Sequence, residues 1–245
     1  MGIRETSIKW TRVLVDICTQ RDFLDAGAIL QISSPDSVLA NLRRVFDWAR
    51  TTNIGVVSCV ESHRPTELVS GFPLHCIDGT PGQQKLAFTL LEPRCIVEAD
   101  NVLSLPHDLC GQYRQLIFRK RSRDILGNPK ADRFLTQLEV SEFILCGVGL
   151  ERAIRGLALG LLARNKPVTV VTDACGTWIP ADGDLAARQL AAKGIRMVTT
   201  EELTAAPVPV PSRRLKGRVR AVRNRHHPAR RNYVSRADAN PVERK

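Results

Sequence analysis

Residues 141–176 read SEFILCGVGLERAIRGLALGLLARNKPVTVVTDACG. An apolar run at 143–148 is followed by apolar residues at helical spacing over 151–164 (Ala153, Ile154, Leu157, Ala158, Leu161, Leu162), then by a mostly β-branched run at 168–171. The period passes from strand to helix and back, which predicts one βαβ unit whose first turn is Gly147-Val148-Gly149. Ligands of such units collect where strands end and helix N-termini point at the opening. Ala153, on the first turn of the helix, therefore falls at the position where chemistry is expected.

Outward from this unit the same pattern repeats. Strands are expected at 12–17, 54–60, 115–118 and 195–198, and amphipathic helices at 37–50, 128–138 and 182–192, with Asn-Pro at 128–129 as a start signal and Gly194 as a stop. The expected fold is α/β: a mainly parallel six-stranded sheet with helices on both faces, a Rossmann-like three-layer arrangement, plus a short extra strand near Arg94. The domain is expected to span 1–204. From 205 to 245 apolar periodicity is lost, and the stretch reads as a disordered basic tail.

Charge follows the same division. The chain carries 36 Lys+Arg against 25 Asp+Glu, a net +11. Residues 207–245 hold 12 of the basic and 2 of the acidic residues, so the part before them is close to neutral. A basic, unfolded segment of this kind either binds nucleic acid through its phosphates or merely aids solubility. No apolar run nears the roughly 20 residues of a membrane span, and MGIRETSIKW lacks a signal-peptide core, so a cytoplasmic protein is expected, with no membrane partner. Seven cysteines, none in a C-x-x-C pair, suit reduced core thiols rather than a zinc cluster.

Four markers in order carry a resemblance: Asp16 near the end of a first strand, the loop HCIDGTPG at 75–82, Lys120 after a strand, and the βαβ unit ending VTVVTDA. Together they resemble the isochorismatase-like hydrolases, the superfamily that includes nicotinamidases and other cysteine hydrolases. The resemblance implies an Asp-Lys-Cys site, with Asp16 as acid/base, Lys120 as cationic partner and position 153 as the nucleophile. Here that position is Ala153, and Leu150 stands where members carry a threonine. It implies a small-molecule ligand, an anion in the isochorismatase-type case, near Gly147, Val148, Gly149, Arg119, Arg121 and Arg152, and a homo-oligomer.

Two functions follow from an alanine at 153: a ligand-binding or assembly protein without thiol chemistry, or a thiol-independent hydrolase in which Asp16 protonates a vinyl ether. Cys18, Cys146 and Cys175 are the substitute thiols, Cys18 the best placed in sequence. Glu61, His63 and His75 imitate part of a metal set, but solvent-facing or structural roles are expected for them, and no cofactor.

Overall fold

The computed structural model describes residues 10–67, 71–100 and 102–205. The expectations for the basic stretch 207–245 lie outside the described residues. Seven strands alternate with helices: β1 (Val13–Ile17), α1 (Arg21–Leu24), α2 (Pro35–Thr51), β2 (Gly55–Glu61), β3 (Arg94–Val97), α3 (Leu109–Gln112), β4 (Gln115–Lys120), α4 (Pro129–Gln137), β5 (Phe143–Val148), α5 (Arg155–Ala163), β6 (Val168–Gly176), α6 (Pro180–Ala192), β7 (Arg196–Val198) and α7 (Thr200–Ala205). They form one sheet in the order β3-β4-β2-β1-β5-β6-β7, every neighbouring pair parallel. The sheet thus has seven strands rather than six, because the short segment at Arg94 pairs fully along β4 as an edge strand.

The central strands β1, β2 and β5 are buried along nearly their whole length, which explains their continuous rather than alternating apolar pattern. Helix α2 buries Val38, Leu42, Val45, Phe46 and Ala49, one face at the expected spacing. Asn128 caps α4 by accepting from the backbone N–H groups of Lys130 and Ala131. No helix among the described residues is long and apolar enough to cross a membrane.

The chain leaves β1 on one side for β2, β4 and β3 and returns on the other as β5, so the strand order reverses beside β1. Clefts form at such a reversal, beyond the C-terminal strand ends. At Gly147 (φ +119°) a Cβ would lie 2.1 Å from the Ile17 carbonyl oxygen, so only glycine lets β5 approach the end of β1. Beyond it, the expected first α turn is a π turn at Leu150–Ile154, in which Ile154 N–H donates to the Gly149 carbonyl. The wider turn leaves Arg152 and Ala153 half-buried at the sheet edge.

Candidate functional site

A cavity of about 190 Å³ opens at this edge. The end of β1 supplies Cys18, the end of β2 Glu61 and His63, the loop 71–80 Phe72 and His75, the end of β4 Arg121 and Arg123, and the β5 turn Val148, Arg152 and Ala153. Trp178, beyond β6, closes one side; its backbone N–H donates to Glu151 Oε1 (2.8 Å) and its indole to the Leu30 carbonyl (2.9 Å).

Of the expected catalytic residues, the structure does not bring Asp16 and Lys120 together. In a parallel ladder, residues in register share a face and successive residues alternate. Asp16 is level with Ser58, and Ser58 with Ile117; Lys120 lies an odd number of residues further along β4, on the opposite face. Asp16 is 0% exposed, and its Oδ2 accepts from Ser58 Oγ (2.9 Å), Thr19 Oγ1 (3.1 Å) and, as an ion pair, Lys85 Nζ. Its alignment with the cavity fails because the strand continues to Ile17 before turning. At Cys18 the backbone adopts φ +53°, and it is Cys18 that lines the cavity.

Lys120 is buried too. Its three protons go to Glu61 Oε1 (2.6 Å) and the carbonyls of Ser122 and Arg123 (3.1 Å each). Burial opposes its charge, but the Glu61 carboxylate bonded to it outweighs that and holds its pKa above the usual lysine value. Burial likewise opposes the Glu61 charge, and Lys120, His63 and His75 together pull its pKa well below the carboxylate range. Cys18 Sγ lies 3.8 Å from Glu61 Oε1, and burial, aided by contact with Cys59, pushes this thiol well above its ordinary pKa. Cys146 lies inside β5 and Cys175 inside β6, both buried.

Glu61, His63 and His75 are not solvent-facing. Their ligand atoms lie within 4.8 Å of one another, with Glu61 Oε2 3.3 Å from His63 Nε2 and 2.7 Å from His75 Nε2. His75 Nδ1 is 2.7 Å from the Pro73 carbonyl, to which it donates, so a metal ion would take the place of the proton between Nε2 and Glu61. One carboxylate and two imidazoles of this kind suit a divalent cation such as zinc. The loop reaches β2 through a bridge between His63 and Ile77, with His63 N–H donating to the Cys76 carbonyl (3.0 Å).

The hydrogen bond from His63 to Glu61, partly opposed by burial and aided by Glu67, raises the His63 pKa. Its protonated form therefore stabilises the fold fully below the unfolded value of about 6.5, and this contribution is lost as pH rises through the folded value. Urea unfolding of metal-free protein should show this component declining as pH rises above about 6.5, and His63→Gln should flatten it. An unchanged profile in the variant would assign the slope elsewhere.

Of the expected ligand-contacting residues, Arg121, Arg152 and Val148 line the cavity. Arg119 instead lies 3.5 Å from Glu98, Gly147 packs against β1, and Gly149 packs beneath Trp178. The guanidinium of Arg152 lies 4.1 Å above the Phe72 ring and 6.0 Å from that of Trp178. Phe72, Trp178 and Lys85 were not expected from the sequence; the only available signal was their position in loops that meet the strand ends.

A family model described as the isochorismatase domain matches residues 13–202. The chain belongs to the isochorismatase family. Its match to the nicotinamidase of Escherichia coli (strain K12) is 25% identical over 205 residues, covering 77% of this chain and 94% of that protein. Among solved structures, the pyrazinamidase of Pyrococcus horikoshii in complex with zinc superposes with a TM-score of 0.61 at 20% identity, covering 77% of this chain and 99% of that one. The MAR1 ribonuclease of Caenorhabditis elegans gives 0.55 at 19%, covering 80% and 81%. Likeness at these identities establishes the family fold for this chain; enzymes with such different names on one fold leave the chemistry to the side chains in the cavity.

Proposed function

We propose that this isochorismatase-family chain binds a small planar heteroaromatic acid or amide and does not hydrolyse it by a thiol route. One observation carries the reading: where the end of β1 and the β5 turn could offer an acid/base and a nucleophile, the cavity has the Cys18 thiol, whose pKa burial raises, and the methyl group of Ala153, beside the apolar Val148 and the cationic Arg152. Thiol attack needs a thiolate and a nearby base. Here the lysine has donated every proton to fixed acceptors, the carboxylate of Asp16 lies on the other face of the sheet, and Glu61, the carboxylate beside the Cys18 thiol, is made a poor base by the pull of Lys120 and the histidines on its pKa. The vinyl-ether route loses its acid for the same reason.

The lining favours a flat ring with a negative substituent. Phe23, Phe72 and Trp178 offer aromatic surfaces, and Arg123 and Arg152 offer guanidinium groups for a carboxylate, while Arg121 is shared with Glu67 and Asp78. Nicotinate, the acid matching the substrate in the name of the Escherichia coli relative, is the natural probe. Calorimetric titration should give saturable binding that Trp178→Ala weakens; absence of binding to the wild-type chain would overturn the reading.

Glu61, His63 and His75 would hold the divalent cation. Bound there, it would supply a Lewis-acid contact to a ligand atom. Lys120 neutralises Glu61 from the side of Oε1 and leaves Oε2 toward the histidines. Titration of metal-free protein with zinc should reveal one site. Because His75 is a direct ligand, His75→Ala should lower affinity by more than the roughly 10–100-fold typical of losing an outer partner. Affinity should also fall with pH as His63 takes up a proton. Equal affinity in the variant would remove the metal from this account.

A further inference from the structure

A second depression, of about 340 Å³, adjoins the cavity and is lined by Arg123, Glu151, Arg152, Arg155, Asp182 and Leu185. Arg123 and Arg152 line both spaces. The inner one holds a single ring and little else, so the rest of a larger ligand would lie in the outer one.

The outer lining carries unused recognition groups. Among the described residues neither Arg123 nor Arg152 has a carboxylate partner, and Arg155 donates to a neutral amide, Gln189 Oε1 (3.0 Å). Glu151 is 9% exposed; its Oε1 accepts from Trp178, while its buried Oε2 has no partner among the described residues. A buried carboxylate oxygen without a donor is costly, and a ligand hydroxyl would satisfy it. Three guanidinium groups against the carboxylates of Glu151 and Asp182 leave one net positive charge, enough for a single phosphate group but poor for a polyphosphate.

Resting on the ring-binding reading, we infer that the ligand is a nucleoside 5′-monophosphate: its base in the aromatic cavity, a ribose hydroxyl on Glu151 Oε2, and its phosphate among Arg123, Arg152 and Arg155. Carboxylates serve ribose hydroxyls in this way in other α/β folds. The basic charge of residues 207–245 offers phosphates a second attraction, so the test must be local.

The full chain is titrated by calorimetry with nicotinamide mononucleotide and nicotinamide riboside, with adenosine monophosphate and adenosine, and with nicotinate. In at least one pair the monophosphate should bind at least about tenfold tighter than its nucleoside, the scale of one charge-assisted hydrogen bond. Arg123→Ala with Arg155→Ala should erase that gain, while Arg155→Ala alone leaves nicotinate binding intact. Equal binding within both pairs, or a gain that survives the double substitution, overturns the inference. If nicotinate binds but no monophosphate gains, this inference alone fails; if nothing binds, the ring-binding reading fails with it.

Discussion

The double variant Ala153→Cys, Cys18→Asp is expected to release ammonia from nicotinamide, whereas Ala153→Cys alone is not. A cysteine at 153 would place a thiol in the π turn, on the wall of the cavity. Alone it meets only poor proton acceptors: Asp16 is sealed on the far face of the sheet, burial disfavours the Cys18 thiolate, and Glu61, the carboxylate on the cavity wall, is held by Lys120 and the two histidines with its pKa well below the carboxylate range. A carboxylate at 18 would share that cavity wall and lie near the charge of Lys120, which already acts electrostatically on the Cys18 thiol. A positioned acid/base contributes about 10²–10⁴ in rate, so the double variant should exceed the single one by at least about 10². Ammonia release, read against unfolding curves to confirm that both variants fold, decides it. Equal rates in the two would mean that position 18 is not where the proton is handled.

The second large effect concerns stability. Lys85→Met should cost about 3–5 kcal/mol, the usual result of leaving one partner of a buried ion pair alone. Lys85 Nζ donates to Asp16 Oδ2 and to Thr19 Oγ1 (2.6 Å), its side chain is 4% exposed and that of Asp16 is 0% exposed. Asp16 Oδ1 lacks a partner among the described residues, so when the ammonium goes only the Ser58 and Thr19 hydroxyls on Oδ2 support the charge. The pair also fastens the loop: Gln20 bridges Lys85, and Leu86 N–H donates to the Thr19 carbonyl (3.0 Å). Asp16→Asn combined with Lys85→Met should recover part of the loss, because the uncompensated charge is then gone. Chemical unfolding measures both; a loss under 1 kcal/mol in the single variant would show the pair to be replaceable by solvent.

The βαβ unit at 141–176 was legible because its period changes twice within one stretch. What it hid was length: β6 runs on through Thr172, Asp173 and Ala174, since Asp173 is satisfied locally by Thr200 N–H (2.7 Å) and Thr200 Oγ1 (2.8 Å). The edge strand β3 carries a half-exposed, four-residue pattern too short to count on periodicity alone. For the site, Glu61, His63 and His75 could be singled out by chemistry. Their convergence depends on a loop folding back onto β2, and loop geometry leaves no period in the sequence. Asp16 was misplaced by alternation: the strand ends at Ile17 as expected, but Asp16 faces away from the cavity, and the left-handed residue that follows the strand puts Cys18 there instead. Lys85 was unreadable for the same reason, since its partner is fixed by a tertiary bridge.

The central claim is that no side chain in the cavity acts as a thiol nucleophile. Zinc-loaded wild-type protein incubated with nicotinamide, with ammonia followed over time, tests it most directly. No release above buffer is predicted; release that disappears in Cys18→Ala would contradict the account.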